Sequence, residues 1–193
     1  EMIKGSMAIQ EINDPNNFSA DIGPIISINA LKKLNDYISD CRENNLKVFQ
    51  CESDFSETHV PPTLIEIDNI SQIEEEQFGP ILHVIKYKFN EIDKTINQIN
   101  ESGYGLTMGI HSRIESRADF ISSESNIGNI YINRDMVGAV VGSQPFGGIG
   151  LSGSGFKAGG PNYLLQFLNE KVISKNSVAF GGNTELLNLQ EDI

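Results

Sequence analysis

ILHVIKYKFNEIDKTINQINESGYGLTMGIHSRIESRADFISSESNIGNIYIN, residues Ile81 to Asn133, alternates short β-branched runs with segments of helical period. Ile81–Tyr87 (ILHVIKY) reads as a strand. Asn90 is placed to cap a helix whose inward face is Ile92, Ile96 and Ile99, with Gly103 as its C′ residue. Leu106–His111 reads as the next strand, Glu115–Ser123 as the next helix and Asn129–Asn133 (NIYIN) as a further strand. Strand, helix, strand, helix, strand with connectors of a few residues predicts an α/β fold, a mostly parallel sheet with helices on both faces.

The same rhythm extends upstream. From Ser27, a good N-cap, the run to Asn44 sets Leu31, Leu34, Ile38 and Cys41 on one helical stripe. Lys47–Cys51 reads as a short strand and Ser53–Glu57 as a polar loop. Pro61-Pro62 then hold the chain extended ahead of a strand over Thr63–Ile67. Glu1–Met7 reads as the end of an amphipathic helix with Ile3 and Met7 four apart, so the chain is expected to begin inside a larger fold.

Downstream, the Asn129–Asn133 strand empties into Gly138–Gly160, which holds nine of the chain's eighteen glycines. Such a stretch cannot be a helix or strand interior, but its backbone can take positive φ and turn bare N–H groups toward an anion. Asn162–Phe167 suggests a short helix. Lys171–Phe180 (KVISKNSVAF) reads as a detached strand that closes an edge or pairs with another subunit. Two parts result: residues 1–168 as the main domain, and 169–193 as an oligomerisation strand and tail.

Composition narrows the function. The 193 residues, 39% hydrophobic, suit one large globular domain. A net charge of −12 and a pI near 4.6 disfavour nucleic acid and anionic membranes as partners. No apolar run is long enough for a transmembrane segment, and without a charged-then-apolar opening stretch a leader is not expected. Cys41 and Cys51 make no disulfide framework, which points to a reducing, cytoplasmic compartment. Cys41 is expected in the core. Cys51 stands beside Glu52 and Asp54, whose charges would raise its thiol pKa. His59, His83 and His111 lack metal-ligand spacing, and no metal is expected.

Two motifs carry more. Gly148-Ile149-Gly150-Leu151-Ser152-Gly153 is literally a dinucleotide fingerprint, but neither a strand just before it nor a helix at its third glycine is indicated. It reads as a decoy. Glu74-Glu75-Glu76-Gln77-Phe78-Gly79-Pro80 has two readings. It is either a solvated loop with Phe78 tucked into the core, or a carboxylate for vicinal sugar hydroxyls beside an aromatic ring for a flat heterocycle.

Together these stretches resemble a known family. Glu76-Gln77-Phe78-Gly79-Pro80 is similar to the E-x-F-G-P motif of the aldehyde dehydrogenase superfamily, and Pro145-Phe146-Gly147-Gly148 with Leu151-Ser152-Gly153 to its P-F-G-G…S-G motif. Ile130–Gly142 followed by Gln144–Gly148 resembles the L-glutamate γ-semialdehyde (Δ1-pyrroline-5-carboxylate) dehydrogenases. Lys157–Pro161, Gly23-Pro24, Pro61–Glu66 and Gly181-Gly182-Asn183 resemble their bifunctional bacterial form, proline utilization A.

The resemblance implies NAD as cofactor, with Glu76 accepting from the nicotinamide ribose and Phe78 beside the nicotinamide ring. It implies that Gly138 and Ala139 offer N–H groups to the α-carboxylate of glutamate semialdehyde, and that Phe146 walls its aliphatic chain. It makes Lys171–Phe180 a subunit-pairing segment of a homo-oligomer. The family's attacking Cys would stand shortly before Glu1, with the general base and Rossmann half further upstream. No catalytic residue is therefore expected within the chain, and alone it should not oxidise aldehydes. Gln77, Asp135, Ile149 and Phe156 depart from the family pattern, and Asp135 brings a charge close to the carboxylate site. Two alternatives stay open: a non-catalytic association module, such as a split gene would leave, and a free-standing carboxylate-binding domain built on Gly138–Ala139.

Overall fold

The structure, a computed structural model, describes residues 1–55, 57–153, 155–176 and 179. Contacts divide the chain into two units: Glu1–Val137 with Gly147–Gly155, and Gly138–Phe146 with the residues from Phe156 on.

In the first unit, helix α1 (Met2–Ala8) buries Met7. Helix α2 (Ile28–Glu43) starts at Ser27, whose extended backbone lets Oγ accept from Ala30 N–H at 3.2 Å. The expected stripe of Leu31, Leu34, Ile38 and Cys41 is its buried face. That face covers a three-stranded sheet of β1 (Lys47–Gln50), β2 (Thr63–Ile67) and β3 (Ile81–Ile85). Leu31, Leu34 and Ile38 pack with Val60, Val48 and Ile81, while Cys41 joins Ile65 and Ile67. Each such aliphatic side chain contributes about 1.5–3 kcal/mol of burial. The central strand β2 is buried apart from Glu66, whose carboxylate meets Lys86 Nζ at 3.1 Å and Lys47 Nζ at 3.6 Å.

β2 and β3 run parallel, Thr63 opposite Ile81 and Ile67 opposite Ile85. β1 runs antiparallel to β2. It reaches its partner through a loop, and reversal of direction needs no crossover helix.

Helix α3 (Ile92–Glu101) buries Ile96 to 2% exposure. It differs from expectation at its start. Asn90 lies within a 3-10 turn, Phe89–Glu91, closed by Glu91 N–H to Lys88 O, so Glu91 takes the cap position and contributes no side-chain bond. Its end follows expectation: Gly103 at φ +76 is the left-handed C′ residue.

The chain continues through β4 (Tyr104–Gly105), β5 (Thr107–Ile110), helix α4 (Glu115–Glu124) and β6 (Asn129–Ile132). β5 and β6 form a second parallel pair, with Ile110 opposite Ile132. The α/β class is as expected, but the two parallel ladders stand in separate sheets, and β4 pairs antiparallel with β7 (Ile149–Gly150). Where β5 and β6 end, Asn133 at φ +53 accepts from Ser112 N–H on Oδ1 and donates from Nδ2 to Ser112 O, both at 2.9 Å.

In the second unit, Val140 and Gln144 exchange backbone bonds of 3.0 and 2.8 Å around Gly142 at φ +85. The Gly142 N–H donates to Gly159 O at 2.8 Å, and Phe146 exchanges two bonds with Ala158. The expected short helix is a 3-10 helix, Tyr163–Phe167, with Tyr163 and Phe167 edge to face. Of the Lys171–Phe180 strand, residues 171–176 run as irregular chain, whereas 177, 178 and 180 lie outside the described residues, as does the Gly181-Gly182-Asn183 motif. No described helix is long and apolar enough to cross a membrane.

Candidate functional site

The acidic loop takes its shape from its two ends. At its start, Asn69 and Gln72 form a reciprocal cap, with Asn69 Oδ1 accepting from Ser71 N–H and Gln72 Oε1 from Asn69 N–H. At its end, Gly79 lies against α2, where a Cβ would sit 2.7 Å from Leu34 Cδ1. Between them, Glu74–Phe78 and the face of α2 border an open cleft of about 990 Å³.

Phe78 is 82% exposed. The reading that tucks its ring into the core is therefore wrong, because Gly79 and Pro80 turn the chain inward only after the ring has passed. Glu76, also exposed, lines the same cleft. A carboxylate and a free aromatic face at one opening can together accept hydroxyl donors and cover a planar heterocycle.

The opposite wall includes Lys33, Tyr37 and Cys41 of α2. Sequence reasoning assigned no role to Lys33 or Tyr37. Their signal is spacing: they stand four apart and border the apolar stripe that α2 buries. Tyr37 Oη and His83 Nε2 are 2.7 Å apart, and the two rings meet edge-on. Burial, together with a bond to the Cys41 side chain, holds the Tyr37 hydroxyl well above its ordinary pKa. Burial lowers the His83 pKa. The Cys41 thiol is pushed up chiefly by burial, against an opposing bond from Tyr37 and aided by Asp40. Burial also raises Cys51, so the expected role of Glu52 and Asp54 there gives way to desolvation. Neither thiol is activated as a nucleophile.

The literal dinucleotide fingerprint is confirmed as a decoy by its surroundings. Ile149–Gly150 is the short strand paired with β4, and a turn follows it at Leu151-Ser152 rather than a helix at Gly153.

The expected carboxylate site lies in the second unit. Gly138 has φ +115, which only glycine adopts without strain, and it orients the backbone entering Ala139. Ala139 is exposed, and its N–H donates no hydrogen bond among the described residues. Phe146 is half-buried, its backbone fixed by the exchange with Ala158. Glu76 and Phe78 thus belong to one unit, and Gly138, Ala139 and Phe146 to the other.

Residues 1–173 match the model of the Aldehyde dehydrogenase family. The chain belongs to that family. Among its relatives, the bifunctional protein PutA of Klebsiella aerogenes is 44% identical over 187 residues, which cover 93% of this chain and 14% of that protein. A 1-pyrroline-5-carboxylate dehydrogenase of a Geobacillus species is 34% identical over 168 residues, covering 86% of this aldehyde dehydrogenase-family chain and 32% of the relative. In crystal structures, a mutant Bradyrhizobium japonicum proline utilization A superposes with a TM-score of 0.86 at 40% identity, over 93% of this chain and 18% of the larger one. The chain therefore spans between about a seventh and a third of the lengths of these relatives.

Proposed function

We propose that this chain is the C-terminal part of an NAD-dependent L-glutamate γ-semialdehyde dehydrogenase, which oxidises the semialdehyde to glutamate in the second step of proline catabolism. The observation that carries this reading is the 44% identity to a bifunctional PutA across 93% of the chain; beside it, the Glu76-Gln77-Phe78 part of the E-x-F-G-P motif borders an open cleft. In this reading residues 1–168 complete the catalytic domain, and 169–193 serve subunit pairing in a cytoplasmic homo-oligomer.

The cofactor residues fit their task. Glu76 and Phe78 are exposed at one cleft, the carboxylate free to accept from ribose hydroxyls and the ring free to lie beside a nicotinamide. NAD, when bound, supplies the hydride acceptor. Gly138 and Ala139 orient the substrate through N–H bonds to its α-carboxylate, and Phe146 offers an apolar ring to its carbon chain. The attacking thiolate and the base that activates water come from the upstream half of the catalytic domain.

A second reading, a non-catalytic association module, draws support from the exposed Leu164, Phe167, Leu168, Val172 and Ile173. One experiment separates the two. The purified chain is assayed with NAD and pyrroline-5-carboxylate, alone and mixed with the upstream half. No turnover alone and NADH formation on mixing are expected. Turnover by the chain alone overturns its dependence on that half, and association without turnover on mixing favours the module.

A further inference from the structure

Arg134 stands where the parallel β5–β6 pair gives way to the glycine-rich loop, and it folds back on the residues that follow it. Its Nε donates to Asp135 O at 3.2 Å, and its Nη2 to Val137 O at 3.2 Å. The same Nη2 meets the Asp135 carboxylate at 3.3 Å. The guanidinium lies 5.1 Å over the ring of Tyr131, a buried residue of β6. One planar cation is thereby tied to a fixed ring and to three oxygens of the next turn.

The Val137 carbonyl is the informative partner. Its oxygen and the Gly138 N–H belong to one rigid, trans peptide plane, so a group that fixes the oxygen also fixes the direction of that N–H. Asp135 is the second. Its carboxylate, 74% exposed, adds a negative charge three residues before Gly138, and the Arg134 cation opposes it.

We propose that Arg134 is a positioning residue for the anionic end of the substrate: it orients the Gly138 N–H through the Val137 carbonyl and offsets the Asp135 charge. The inference rests on the reading of Gly138 and Ala139 as donors to a substrate carboxylate.

The test uses the active enzyme formed by this chain with its upstream half. KM and kcat are measured for glutamate semialdehyde and for propanal, a neutral aldehyde with no carboxylate to hold. R134Q is expected to raise KM for the semialdehyde roughly tenfold, the scale of one charge-assisted hydrogen bond, with kcat nearly unchanged. KM for propanal should stay as in the wild type. R134K should recover part of the loss through charge alone, and D135N placed on R134Q should lower the raised KM. An equal change for both aldehydes, or no change for either, overturns the proposal.

If the wild-type mixture turns over neither aldehyde, the proposed function fails. Arg134 is then read in the isolated chain by backbone 15N relaxation. A lower NMR order parameter for the Gly138 N–H in R134Q, against unchanged values in β5 and β6, supports orientation through the Val137 carbonyl. An unchanged order parameter at Gly138 overturns it.

Discussion

Phe78 shows how a single residue decides between two readings of one motif. Three acids, an aromatic and a Gly-Pro turn fit both a solvated loop and a ligand edge, because sequence spacing does not say which way a ring points. The structure leaves the ring 82% exposed. An apolar ring left in water is worth keeping when something covers it. Phe78→Ala should therefore weaken NAD binding by the active enzyme about tenfold while leaving the thermal midpoint of the chain within about 1 °C of wild type. A drop of several degrees would mean that the ring is structural after all. His83 is the opposite case, a residue whose sequence position carries little and whose contacts carry much. Burial lowers its pKa beneath 6.5, so the unfolded chain binds the extra proton first. Its contribution to stability is present above pH 6.5 and is lost as the pH falls from there through the lower folded value. The urea midpoint should fall between pH 7 and pH 5, and His83→Gln should flatten that part of the profile. A profile unchanged by the substitution would remove His83 as the cause.

At the scale of elements, what repeats was legible and what is short was not. The Leu31, Leu34, Ile38, Cys41 stripe has helical period, and α2 forms there with its cap on Ser27. Ser27→Ala should cost about 1 kcal/mol in urea unfolding, since the Ala30 N–H would lose its acceptor on the Ser27 side chain, and Ser27→Gly distinctly less. Equal losses for the two variants would point to something other than the cap. By contrast β4 and β7 are two residues each, too short to show a period of two, and only the pairing of Tyr104 with Gly150 and Gly105 with Ile149 reveals them. The 3-10 turn at Phe89–Glu91 was hidden for another reason. Asn90 has the right chemistry for a cap, but the turn ahead of α3 tightens by one residue and moves the cap to Glu91.

For the whole molecule, the family was legible because its two motifs are loops built from residues with few substitutes, glycine, proline and an aromatic. The division into two units was not. Gly138–Phe146 departs from the first unit and Gly147–Gly155 returns to it, an interruption that no change of composition announces. Large apolar side chains stay uncovered in both units, among them Phe18, Ile26 and Ile28 in the first and Leu164, Phe167 and Val172 in the second. Surfaces of this kind associate. Sedimentation velocity of the isolated chain at micromolar concentration should show oligomers, and the upstream half should compete with that self-association. A single 21.2 kDa species at all concentrations would exclude it.

One packing detail reaches beyond structure into what selection will tolerate. The Gly147 N–H donates to Asn129 Oδ1 at 3.1 Å, and a Cβ on Gly128 would collide with the Gly147 carbonyl. Two stretches about twenty residues apart in sequence therefore share one steric allowance, already used in full. A saturation library at position 128, sorted for folded protein, should return glycine almost alone, while the same library at Gly142, where a Cβ would meet open space and only φ is unusual, should also return asparagine. The silent half of that pair, a glycine outside any recognised motif, would prove as intolerant of change as the motif it supports.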